Sequence, residues 1–219
     1  MMMLRTPNRL TIVAVLVIGS LLSGCSGGED RAEAESPELG RCKSLLGAGN
    51  VEAAVKTTGG SDVEVSGTPQ ADVLADGLVQ EAKQWQTSDL LHNSYTGCRM
   101  DAFEGDQLSG TVDVSVKWSV LSIGLMDEPK ISRTWRQVNK SVYVAPEPGP
   151  ARMQLLAACA VPGASAAQSS DLPLQFDVSG ASLGAELRWE LLRGFAQSVT
   201  EEMGCATPPL IPSVLPAVT

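Results

Sequence analysis

Three groups of residues have the types and spacing that could support chemistry. Gly180-Ala181-Ser182-Leu183-Gly184 matches the G-x-S-x-G pattern of a serine nucleophile elbow. A strand-like run, Leu172 to Val178, precedes it and a helix-like run follows, which is the context such an elbow needs. The chemistry fails for want of a base. An elbow serine takes its imidazole from later in the chain, and the sole histidine, His92, comes 90 residues earlier. Without a base a serine hydroxyl stays a poor nucleophile. Ser182 is therefore expected to cap the helix that follows, accepting a free N–H, with Glu186 at the positive end of the helix dipole.

His92 sits in the polar stretch Leu91-His92-Asn93-Ser94, and no nucleophile or carboxylate is tied to it by spacing. A surface or capping position is expected. Asp72 and Asp76 are one helical turn apart, as are Glu186 and Glu190. Paired carboxylates can cleave glycosidic bonds at separations of about 5–10 Å, but pairs spaced by one turn are expected on solvated helix faces. The nine aromatic residues include four tryptophans, few for a sugar-stacking platform. Trp85, Trp118 and Trp189 fall on apolar faces and are expected in the core. No C-x-x-C pair accompanies the single histidine, so a metal centre is disfavoured. The sequence thus assigns no catalytic, metal-binding or ligand-binding residue and shows no cofactor loop. A net charge of −9 also argues against nucleic acid, which needs a clustered basic face. The one basic-leaning stretch, Lys117 to Arg152 with Lys130, Arg133, Arg136 and Lys140, reads as solvated surface; its alternative is a docking patch for an envelope protein or anionic polymer.

The most specific signal lies near the N-terminus. Arg5 and Arg9 precede an apolar run, Leu10 to Leu22, that ends in Leu22-Ser23-Gly24-Cys25. Charged start, apolar middle and small residues make an export signal, and the run of about 13 residues is short of the ~20 that span a bilayer. Leu22 to Cys25 resembles a bacterial lipobox. The resemblance implies cleavage before Cys25, a lipid thioether on its sulfur and a chain held at the extracytoplasmic face of the cell membrane. Two or more acyl chains anchor stably, at ~0.8 kcal/mol per buried methylene. Removing 24 residues from the 219-residue chain leaves 195 and, with two arginines gone, a net charge of −11. With Cys25 assigned to lipid, four cysteines remain of five. An even number in an exported chain reads as two disulfides, with three connectivities open. Cys42–Cys98 with Cys159–Cys205 is favoured, because each pair encloses a helix and each second cysteine follows a glycine.

The elements follow from periodicity. Strands are expected at Val112–Val120, at Val138–Val144 (interrupted by Lys140), at Met153–Cys159 and at Leu172–Val178. Pro146, Pro148 and Pro150 mark a turn after the second, and residues 163–170 a small-residue loop. Helices are expected at Cys42–Val55, Val73–Trp85 and, most clearly, Leu183–Met203, which Gly204 would end. One-sided alternation favours an antiparallel sheet, giving an α+β fold with helices packed on one face. The expected organisation is a signal peptide over 1–24, a disordered tether over 25–38, an α+β domain over 39–206 and a Pro-rich irregular tail over 207–219. An alternative divides the domain into lobes 39–110 and 111–206. The lipobox and cysteine layout are similar to those of uncharacterised lipoproteins of high-GC Gram-positive bacteria, a resemblance that implies no activity. The function expected is a non-catalytic binding or accessory role in the envelope. Two alternatives stand beside it: a small-ligand or lipid carrier with a cavity between sheet and helices, and a hydrolase with an unrecognised site.

Overall fold

Alternating valines build the centre of a seven-stranded antiparallel sheet in the computed structural model, which describes residues 35–126, 128–147 and 151–216. The strands are β1 (Asp62–Ser66), β2 (Ser94–Glu104), β3 (Gln107–Trp118), β4 (Arg136–Asn139), β5 (Val142–Ala145), β6 (Arg152–Ala157) and β7 (Leu174–Ser179), in the order β1-β2-β3-β7-β6-β5-β4. Val112, Val114, Val116 and Trp118 of β3 share one buried face with Leu174, Phe176 and Val178 of β7, because Val116 pairs with Phe176 and Val114 with Val178. Met153 and Leu155 continue that face through β6.

Helices cover it: α1 (Pro37–Leu46), α2 (Ala48–Thr58), α3 (Ala71–Gln84), the short α4 (Gln168–Asp171) and α5 (Ala185–Glu202). On α5, Leu191, Leu192, Phe195 and Val199 recur at helical spacing and are fully buried. Phe195 meets Phe176 edge to face, with centroids 5.5 Å apart and planes at 86°, a contact worth ~0.5–1.5 kcal/mol beyond the area it buries. Trp118 satisfies its indole by donating to the Leu78 carbonyl at 3.0 Å.

Both disulfides form as expected. Cys42–Cys98 joins α1 to β2, with Cα atoms 5.9 Å apart. Cys159–Cys205 joins the segment after β6 to the end of α5, with Cα atoms 5.2 Å apart. Gly204 ends α5 at φ +61°.

Several sequence expectations are corrected. The helix expected over Cys42–Val55 is two helices, α1 and α2, divided at Gly47, whose φ of +92° a residue with a side chain rarely adopts. The tether expected to reach residue 38 gives way to α1 from Pro37, with Ser36 Oγ accepting the Leu39 N–H at 3.2 Å. The strand expected over Val138–Val144 is the β4–β5 hairpin, with Lys140 in its turn and Asn139 Oδ1 accepting the Ser141 N–H at 3.0 Å. Val120, expected on the buried face, is exposed because β3 ends at Trp118. A division at 110/111 would cut β3, and the described residues from Glu35 onward form one compact unit. Residues 207–216 form no helix or strand, yet Ile211 and Leu215 pack on the core and the Leu210 carbonyl accepts from Asn139 Nδ2 at 2.7 Å.

The far face of the sheet is covered on one side only. Residues 119–126 and 128–135 fold over β5 and β6, where Met126, Trp135, Tyr143, Ala145 and Leu156 make a second, smaller apolar cluster. Beyond it lies a polar surface. Arg152 pairs with Asp177 at 2.7 Å, and Arg99 grips Asp101 at 2.9 and 3.2 Å.

Candidate functional site: a cleft at the end of the third helix

Helix α3 stops at Gln84 because Trp85 turns to extended backbone (φ −60°, ψ 140°). The next residues close a turn: the Gln86 N–H donates to Asp89 Oδ2 and the Asp89 N–H to the Gln86 carbonyl, each at 2.9 Å. The chain doubles back and lays His92 against Glu81, one helical turn before the end of α3. His92 Nδ1 is 3.0 Å from Glu81 Oε1, and the imidazole is only 4% exposed. The same carboxylate accepts the Asn93 N–H at 3.2 Å and the Tyr95 hydroxyl at 3.3 Å. Burial, and then the Glu81 charge, raise the Tyr95 phenol above its ordinary value, so it remains a donor.

A carboxylate only accepts, so His92 Nδ1 is the donor in the contact with Glu81. The other ring nitrogen, Nε2, is buried and has no hydrogen-bond partner among the described residues. The indole Nε1–H of Trp85 is likewise buried and unpartnered. Buried polar groups are nearly always satisfied, and leaving one unpaired costs about 1–3 kcal/mol. Both side chains line the same two adjoining clefts, of about 270 and 130 Å³. The larger is walled by Glu81, Gln84, Asp89 and Asn93; the smaller adds Ser119 and Asp171. The rim is apolar and unusually bare: Leu90 is 73% exposed, Leu91 94% and Val120 58%.

His92 thus occupies neither of the expected positions. Its side chain is buried, and the carboxylate that sequence spacing does not tie to it is Glu81, 11 residues earlier on α3. Trp85, expected in the core, is half-buried: it packs against the core cluster and also lines the cleft. No local spacing signal marks the pair, because it depends on where the turn after Trp85 returns the chain. A histidine held by a carboxylate could serve a nucleophile, but among the described residues none bonds its Nε2. Ser119 Oγ lines the smaller cleft and accepts the Leu121 N–H at 3.1 Å, without bonding His92.

The other sequence candidates are not brought to this cleft. Ser182 is exposed and does not cap α5, whose N-cap is Gly184, two residues on; Glu186 does lie in the first turn. Asp72 and Asp76 are exposed on α3, and Glu190 pairs with Arg193 on its own helix. Trp118 and Trp189 are in the core. From the basic stretch, Arg133 and Arg136 line a separate cleft of about 240 Å³ with Glu147, while Lys130 and Lys140 are exposed. No group of three or more His, Cys, Asp or Glu among the described residues could hold a metal ion, and none of their helices is long and apolar enough to cross a membrane. Cys25 lies outside the described residues. No protein-family model, curated protein or solved structure matches the chain.

Proposed function

We propose that the protein is a lipoprotein anchored through Cys25 at the extracytoplasmic face of the cell membrane, with a non-catalytic binding role in the envelope, and that the Trp85–His92 cleft is its binding site. The observation that carries the binding reading is the pair of adjoining clefts that Trp85 and His92 both line, with the polar side chains of Glu81, Gln84, Asp89 and Asn93 gathered around the larger one. The layer between sheet and helices, the alternative place for a ligand, is occupied by fully buried side chains such as Trp118, Phe176 and Leu155.

Three features support the anchor. The Leu22-Ser23-Gly24-Cys25 sequence follows an export-type apolar run. The other four cysteines are joined to one another, so Cys25 is left over from structural pairing. Two disulfides suit an oxidising compartment. The test is fractionation of cells producing Cys25→Ala. The variant is expected in the medium, or as uncleaved precursor. A fully processed variant that stays with the membrane would overturn the anchor.

A further inference from the structure

We infer that a second cleft, lined by Arg133, Thr134, Arg136, Pro146 and Glu147, binds a phosphodiester group. The site shares no residue with the Trp85–His92 cleft and is additional to it. What marks it is where the unpaired arginines fall. Arg41, Arg99, Arg152 and Arg193 each pair with a carboxylate. Of the described arginines that pair with none, Arg188 is buried on α5, whereas Arg133 and Arg136 line one cleft of about 240 Å³. Arg136 is half-buried, and its Nη1 has no acceptor among the described residues. Charges withdrawn from water are normally paired, and here the fold supplies no counter-charge. Both guanidiniums stay protonated at any working pH, so the sign of the ligand follows without a choice of protonation state. The surrounding sequence has the same sign: Lys117 to Arg152 holds six lysines and arginines against three acids, a net +3 in a chain of −9. Local structure holds the pair in place. The Thr134 and Trp135 N–H groups donate to the Ile131 carbonyl at 2.9 and 3.0 Å, and Trp135 is buried in the smaller apolar cluster. Arg136 opens β4 and pairs with Val144 of β5, two residues before Pro146. Two guanidiniums and the Glu147 carboxylate leave the wall one positive charge in excess, which a singly charged diester balances. Guanidinium forks bind carboxylate and phosphate oxygens bidentately. A carboxylate has two coplanar oxygens, which one fork satisfies. A tetrahedral phosphate accepts from more than one direction, which also engages the second fork and the Thr134 hydroxyl, free of hydrogen bonds among the described residues. A phospholipid headgroup and a free or polymeric diester share this chemistry.

The experiment is a two-dimensional ¹H–¹⁵N titration of the purified full-length chain in a non-ionic detergent. The probe is glycerophosphoglycerol, with sodium acetate as a parallel arm, all at one ionic strength because exposed charges are screened by salt. The backbone amide resonances of residues 133–136 are expected to move saturably with a Kd in the millimolar range. Arg136→Gln should weaken binding about tenfold or more, the effect of charge-assisted hydrogen bonds, and Arg133→Gln, at an exposed position, about three- to tenfold. Lys140→Gln removes the same charge just past the other end of β4 and should leave the affinity unchanged. The indoles of the buried Trp118 and Trp189 should stay in place in each variant and report an intact fold; where Arg136→Gln disturbs them, Arg133→Gln decides. A second arm, phosphatidylglycerol mixed into the micelles, reads the source. Movement there without movement by the free diester places the group on a lipid headgroup, and movement by the free diester places it on a soluble or polymeric one. No movement in either arm, with the free diester raised to about 50 mM, well above a millimolar Kd, overturns the proposal. So does weakening by Lys140→Gln equal to that by Arg136→Gln, which would make the attraction a general one of the basic stretch. Equal movement with acetate overturns the phosphate assignment. None of these results bears on the Trp85–His92 cleft, so the two readings fail separately.

Discussion

Gly194 lies in the middle of α5, where alanine should be the better residue by about 1 kcal/mol. We expect Gly194→Ala to destabilise the protein instead. A β-carbon there would sit 2.6 Å from the Leu46 carbonyl oxygen and 3.1 Å from its carbon, both backbone atoms of α1. Backbone at the end of a helix pinned by Cys42–Cys98 cannot swing aside as a flexible side chain would, so α1 and α5 must separate. Overpacking of this kind costs about 1–3 kcal/mol. The separation also strains the hydrogen bonds that depend on the close crossing. Asn50 Nδ2 donates to the Leu46 carbonyl at 2.8 Å and to the Glu190 carbonyl at 3.3 Å, and Ser198 Oγ donates to the Leu45 carbonyl at 2.9 Å. Each contributes about 1 kcal/mol. Against a gain of about 1 kcal/mol, the steric and hydrogen-bond losses dominate, and the net change is expected at about 1–3 kcal/mol destabilising. Urea titration at 25 °C reads it as a lower midpoint with an unchanged slope. Gly49→Ala in α2 is the control: nothing lies within 4 Å of the place its added methyl would take, so it should be neutral or gain up to about 1 kcal/mol. A Gly194→Ala chain as stable as the parent would show that the helices do not cross in contact.

Removing the Cys159–Cys205 staple by double substitution to alanine should cost about 4 kcal/mol, from the chain entropy of a loop closed over a sequence separation of 46. Calorimetry should show a markedly lower Tm with the far-ultraviolet spectrum preserved; an unchanged Tm would contradict the assignment of stability to this link. Asp113 gives a pH-dependent effect. Burial, only partly offset by the Arg99 charge, raises its carboxyl above the ordinary value. The folded chain therefore holds this proton more tightly than the unfolded chain, a contribution that is full below the ordinary carboxylate value and is lost as pH rises through the folded-state value. Asp113→Asn should raise Tm at pH 7 and give little benefit at pH 3; a lower Tm at pH 7 would reverse the assigned sign. Asp101 has the opposite sign, because the Arg99 and Thr111 hydrogen bonds lower its carboxyl. Its contribution holds above the ordinary carboxylate value and fades as pH falls through the lowered one.

The parts of the fold legible in the sequence are those with long, uninterrupted periodicity. β3 keeps strict alternation from Val112 to Trp118, and α5 keeps its apolar stripe from Leu191 to Val199. β2 is hidden because its register shifts twice, between Thr96 and Cys98 and between Ala102 and Phe103. Each shift breaks the two-residue period, so Tyr95 and Cys98 face the core although three positions apart. β1 has only five residues, with Val63 and Val65 between acidic and polar neighbours. Ser36-Pro37-Glu38 is a good helix start, but the Gly- and acid-rich composition before it draws that segment into the tether. The cleft is illegible for a different reason. Its central contact, Glu81 to His92, depends on where the turn after Trp85 returns the chain, and no local spacing rule encodes that. The disulfide pairing is readable because compartment, parity and enclosed helices all point the same way.

The anchor itself is decided by the intact mass of the native chain purified from the membrane fraction. The lipoprotein account expects a chain that begins at Cys25 and carries the mass of a diacylglyceryl group, with or without a further acyl chain on its amine, the added mass staying with the Cys25 peptide after reduction of both disulfides. A chain that begins elsewhere, or that begins at Cys25 with no added acyl mass, would contradict it.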